Sequence, residues 1–176
     1  MAGQRQRKKL LAAAAVVLAG AAAPAVADIG LGAAITNGAF DTGTTILLPI
    51  RTPTLMIEPQ LSYVDQKQGG NTTKGTSLGV GVYLRKEVGP LFEAYYGGIL
   101  SYDQLKTTPA GGAETKSNAF SIIPTVGVAH YFSKQFSIAL DVGLQYQDGT
   151  TKAPGGDQDI KTIATVARIL VRGFVW

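Results

Sequence analysis

The sequence has no cysteine, which excludes a disulfide framework and any thiolate metal site. It has a single histidine, so any Ser/His/Asp triad or histidine–metal scheme would have to run through His130. Charge is scarce: 16% of residues are charged while 45% are hydrophobic. A disordered chain would carry more charge and less apolar surface. Beyond residue 28 no apolar run reaches the roughly 18 residues of a transmembrane helix. Nor does any segment there hold a 3.6-residue apolar period for long, so amphipathic helices have little support.

What is present begins with an export signal. Arg5, Arg7, Lys8 and Lys9 form a basic stretch, and Leu10 to Ala23 are apolar and uncharged. Ala25-Val26-Ala27 then places small residues where a signal peptidase reads them. The apolar stretch is mostly alanine and short for a hydrocarbon core of about 30 Å, so cleavage is favoured over a retained anchor. The expected organisation is a signal peptide at 1–27, cut after Ala27, and one domain at 28–176 beginning with Asp28. Removing four of the 16 basic residues leaves 12, matching the 12 acidic ones. The basic character of the whole chain therefore belongs to the signal and implies no nucleic-acid partner.

After Asp28 the dominant period is two, the signature of strands. Phe136, Ile138, Leu140, Val142, Leu144 and Tyr146 alternate with Ser137, Ala139, Asp141, Gly143 and Gln145. Residues 77–85 and 91–102 repeat the pattern. Turn signals divide the chain into eight strands, expected at 29–36, 44–50, 54–66, 76–88, 90–105, 117–132, 135–147 and 161–175. Short connections (51–53, 88–90, 133–134) alternate with longer ones at 37–43, 67–74, 106–116 and 148–159. Four longer loops at one end and tight turns at the other predict an all-β, eight-stranded antiparallel up-and-down transmembrane barrel. A soluble sandwich or lipocalin-like barrel also alternates, but its outside would be rich in Lys and Glu. Here the less apolar face is mainly Gly, Ala, Ser and Thr, as a confined polar interior requires. Tyr63, Phe92, Tyr102, Phe132, Phe136 and Tyr146 fall on the apolar face towards strand ends, where interfacial girdles belong.

The export signal, the alternating hairpins, the TVGVAHYFSKQFSIALDVGLQY segment (Thr125 to Tyr146) and the ARILVRGFVW ending (Ala167 to Trp176) resemble small outer-membrane β-barrel proteins of the OmpX and OmpA-barrel type. The resemblance covers nearly all of residues 28–176. It implies residence in the outer membrane of a Gram-negative bacterium, contact with outer-membrane lipid, and recognition of the terminal aromatics by the outer-membrane assembly machinery. Trp176 and Phe174 would carry that assembly signal. Alternate aromatics of such an ending usually face outwards, so a bulge near Gly173 is expected to reset the phase of the last strand. Pro59 and Pro124 fall inside strands that a closed barrel must bond on both sides, so bulges or strand ends are expected there as well.

Little in the chain points to chemistry. His130 and Ser133 lie beside a short turn, away from the end where an outer-leaflet lipid would be processed. Asp157 and Asp159 are too few for a loop-type calcium site, and no cofactor is expected. Strand parity instead sends Glu58, Glu93 and Asp141 inwards together with Arg85, Arg168 and Arg172. An eight-stranded barrel is just wide enough for side chains to fill, so these charges are expected to pair as a polar core. The function expected is therefore non-enzymatic: structural, or binding an extracellular ligand through the loops. The alternatives are a narrow channel for small solutes and a lipid-modifying membrane enzyme.

Overall fold

The computed structural model describes residues 27–37 and 44–175. Residues 1–26 of the expected signal peptide, residues 38–43 of the first long connection and Trp176 lie outside the described residues. Strands β1 (Asp28–Asn37), β2 (Thr44–Leu47), β3 (Ile50–Arg51), β4 (Leu55–Gln68), β5 (Asn71–Gly89), β6 (Phe92–Thr108), β7 (Thr115–Ser133), β8 (Phe136–Ala153) and β9 (Gly156–Val175) form one antiparallel sheet. β9 returns to pair with β1 from Ile29↔Val175 to Asn37↔Ala167, which closes the sheet into a barrel. Segments β2 and β3 follow one another along the same wall position, so the ring has eight staves.

The interruption of that second stave has a simple cause. Pro49 and Pro59 sit one step apart across the wall, Pro59 opposite Leu48 and Pro49 opposite Glu58, and neither has an N–H to give. Gly30 N donates to the Pro49 carbonyl at 2.8 Å and Leu48 N to the Pro59 carbonyl at 2.9 Å. Each proline thus accepts a bond without returning one, and the ladder thins between Leu47 and Ile50. No register shift occurs there, because Leu47↔Gln60 and Ile50↔Ile57 keep one alignment. Pro124 behaves alike: the β7–β8 pairing is skipped between Ile122↔Tyr146 and Thr125↔Gly143 without a slip. Neither the bulges nor the strand ends expected at Pro59 and Pro124 occur, since both prolines lie within continuous strands. Irregularities occur instead next to tight turns, at Glu87/Gly89 and Tyr131/Ser133.

Strands also run further than the turn signals suggested. Three of the long connections reduce to turns. Gln68 pairs with Asn71 across Gly69-Gly70, whose φ values of 56° and 82° are those of a two-residue hairpin turn. Ala153 pairs with Gly156 across Pro154-Gly155. Between β6 and β7, Gly112 N donates to the Pro109 carbonyl at 3.1 Å and Gly111 takes φ 70°. Polar residues at these positions fit a sheet that projects beyond the apolar zone.

Large apolar side chains face outwards over much of the wall, an exposure that soluble monomers rarely carry. Ile163 is 75% exposed, Val175 69%, Ile35 67% and Leu31 63%, and they belong to a continuous belt. Tyr63, Phe92, Phe132, Phe136 and Tyr146 all face out with it. At a rise of about 3.3 Å per residue and a tilt of about 40°, the run from Phe136 to Tyr146 climbs about 25 Å, the height of a transmembrane barrel's apolar band. No described helix is long and apolar enough to cross a membrane, which has no bearing on crossing by strands.

Candidate functional site: the packed lumen

The inward face is built by the same alternation. Glu58, Glu93, Asp141, Arg168 and Arg172 are between 0% and 4% exposed, and the Arg85 side chain is 8% exposed. They form three pairs stacked along the lumen. Arg168 grips Asp141 with two bonds, Nε to Oδ1 at 2.9 Å and Nη2 to Oδ2 at 2.6 Å. Arg172 Nε donates to Glu58 Oε2 at 2.6 Å. Arg85 makes a two-pronged pair with Glu93, its Nε 2.9 Å from Oε1, and also donates to the Thr52 carbonyl. Such fork geometry is the strong form of a buried charge pair.

Tyrosines tie the pairs together. Tyr83 Oη accepts from Arg168 Nη2 at 2.9 Å, and Tyr95 Oη donates to Asp141 Oδ2 at 3.1 Å. The two rings meet edge to face with centroids 5.4 Å apart, and the Arg172 guanidinium lies 5.3 Å from the Tyr95 ring centre. Tyr131 Oη donates to Glu93 Oε2 at 3.2 Å. Space for the tyrosines comes from glycine: a Cβ on Gly127 would collide with the Tyr95 ring, and one on Gly81 with Tyr83. Met56, Leu47, Leu170 and Ile99 fill between the polar groups.

Two lumenal groups escaped the sequence reading. Arg51, assigned there to a short turn, is buried and holds Asp28 Oδ2 through Nε at 3.0 Å and Nη2 at 2.6 Å. Its guanidinium covers the Phe174 ring at 3.8 Å and donates to the Lys134 carbonyl at 3.2 Å. Phe174 is consequently lumenal at 4% exposure; the β9 registers run through Gly173 without a bulge, and Val175 faces out. The expected phase reset does not occur. Near the other end Asp103 accepts from Ser77 Oγ and, at 3.0 Å, from Ser121 Oγ, while Gln145 Nε2 donates to Ser121 at 3.2 Å. The alternation of Ser101, Asp103 and Leu105 with Tyr102 is the signal that would have placed Asp103 inwards. Arg51 carried no such signal, because the prolines on either side hid the strand.

His130 points outwards, between the Phe92 ring (4.7 Å) and the Phe132 ring (4.6 Å). Ser133 Oγ instead accepts from Gln135 N at 3.2 Å. Among the described residues no carboxylate orients the imidazole, and the pair shows no nucleophile–base geometry.

A closed ring of eight strands with an apolar outside and a polar inside crossed by buried ion pairs defines a transmembrane β-barrel. More narrowly, the fold is that of small outer-membrane barrel proteins. The chain is similar to the crystal structure of neisserial surface protein A at 14% identity, covering 85% of this chain and 96% of that one, with a TM-score of 0.52. It is similar also to a major outer membrane protein from Thermus thermophilus at 10% identity, covering 86% and 100%, with a TM-score of 0.53. No protein-family model and no curated protein sequence matches the chain.

Proposed function

We propose that the protein is an integral outer-membrane protein of a Gram-negative bacterium, exported through a signal peptide cut after Ala27, with a closed, non-enzymatic barrel. Its role is structural or surface-interacting, exercised through the polar hairpin ends opposite the termini. The observation that carries this reading is the set of buried ion pairs crossing the lumen. Asp141–Arg168, Glu58–Arg172 and Glu93–Arg85 cross it at successive levels, with tyrosines between them. A conducting pore would need these pairs to part, and separating a buried pair costs several kcal/mol, of the order of 3–5. The outward, ring-packed setting of His130 supports the absence of catalysis. Trp176 and Phe174 serve, on this reading, as the ending met by the assembly machinery.

An even-stranded bacterial barrel keeps both termini and its short turns periplasmic. The hairpin ends at 68–71, 108–115 and 153–156 then face the exterior. Lys152→Cys should react with an impermeant thiol reagent on intact cells, and Lys134→Cys only after the outer membrane is opened. Planar bilayers containing the purified protein should stay silent. The reverse labelling pattern would invert the topology, and stable unit conductances would replace the closed barrel with the channel alternative.

A further inference from the structure

We propose that the protein binds phosphorylated lipid headgroups on a row of four lysines running around the outside of the barrel, just beyond its upper aromatic residues. The strand registers align Asp65 with Lys74, Lys74 with Lys106, Lys106 with Lys116, Lys116 with Lys152, and Lys152 with Asp157. Directly opposed residues share a face of the sheet, and these share the parity of outward Tyr63, Leu78 and Tyr146. At about 4.8 Å between strands the four ammonium-bearing positions span about 14 Å.

Like charges placed opposite one another weaken a sheet. Here three such pairs follow in succession, and the chain's own acids only partly offset them. Asp65 lies 3.3 Å from Lys74, at one end of the row. The central Lys106 and Lys116 share a single carboxylate, Glu114, at 3.8 Å and 3.1 Å. Lys152 forms no ion pair among the described residues. The Glu114 carboxyl is held below its usual range by the hydrogen bond from Lys116 and by the charge of Lys106, as expected in a positive local field. The side chains of Lys74, Lys106 and Lys116 are 54–56% exposed, so their charge is offered outwards.

Position identifies the occupant. Along β6 and β7 the lysines stand four residues beyond Tyr102 and Phe120, and along β8 six beyond Tyr146. Four residues of tilted strand rise about 10 Å, and a lysine stem can bend back several ångströms towards the membrane. The row therefore continues the lipid-contacting belt at headgroup depth. At that depth a phosphate-bearing headgroup lies within reach of the ammonium groups.

Which leaflet is bound rests on the topology proposed above, but the chemistry can be tested without it. The processed full-length barrel, folded in zwitterionic micelles, would be titrated with diphosphorylated lipid A, with the same lipid lacking both phosphates, and with inorganic phosphate. Amide shifts at Lys74, Lys106, Lys116 and Lys152 report the row. The expected result is saturable shifts with the diphosphorylated lipid only, weakened by salt. The double variant Lys106→Gln/Lys116→Gln should lose at least tenfold in affinity while Lys134→Gln, at the opposite end, loses nothing. Equal binding of the two lipids would overturn the proposal, as would full affinity in the folded double variant or the same shifts with inorganic phosphate. The comparison of lipids needs no variant, so a misfolded double mutant would leave the test intact.

Discussion

At the scale of the residue, the lumen obeys the rule that a buried charge must be partnered. Arg168 serves three acceptors at once: Asp141, Tyr83 and, at 3.3 Å, Gln60 Oε1. Truncating it strands the Asp141 carboxylate with only the Tyr95 hydroxyl. Arg168→Ala should therefore destabilise the folded barrel by about 3–5 kcal/mol. Adding Asp141→Ala should recover part of that loss, since it removes the unpaired charge. Urea unfolding of the wild type, both single variants and the double variant in micelles measures the coupling. Strict additivity would mean that the two side chains do not depend on one another. The parity of β8 and β9 already sends Arg168 and Asp141 inwards; that they sit directly opposite follows from the Asp141↔Arg168 register.

At the scale of the element, the hairpin ends were the least legible part of the sequence. Gly, Thr and Lys at 67–74 look like a loop. They form paired strand around Gly69-Gly70 because two successive glycines at positive φ match the twist of the adjoining strands. The Gly-Gly pair was the available signal, and polarity on both faces masked it. Gly69 has nothing within 4 Å of where a Cβ would stand, so replacing it tests backbone conformation alone. Gly69→Ala should cost about 1–2 kcal/mol, the left-handed penalty of an L-residue. Gly69→Asn should cost less, because asparagine tolerates that region. Amide hydrogen exchange from Lys67 to Thr73 should quicken in the first variant and stay near wild type in the second. Equal exchange in both would show that the turn does not hold this geometry.

At the scale of the whole molecule, closure joins the two ends of the domain. Ile29 pairs with Val175, and Asp28 is held by Arg51, so β1 is used from its first residue. Sequencing the membrane-extracted protein should therefore begin at Asp28, with the signal gone and no residue of β1 lost. A mature chain starting at Met1 would support an anchor. A start beyond Asp28 would remove the Arg51 partner and leave that guanidinium with Phe174 and the Lys134 carbonyl at the barrel's base.

Alternation by itself determined that this chain forms strands, which face is apolar in all but the end of the last one, and that six named charges turn inwards. These follow from period two, which holds whatever the neighbouring strand is. Polarity of the non-apolar face and the spacing of turns were enough for an eight-stranded barrel. Register was left open, since it arises only when strands meet. The tertiary structure therefore decided which acid meets which base, and that Arg51 rather than solvent receives Asp28. It decided that Phe174 stays inside, because a guanidinium was available to cover it. It also brought four lysines, scattered over residues 74 to 152, into one line. Each lysine alone reads as an ordinary solvated charge, and only the register makes them neighbours.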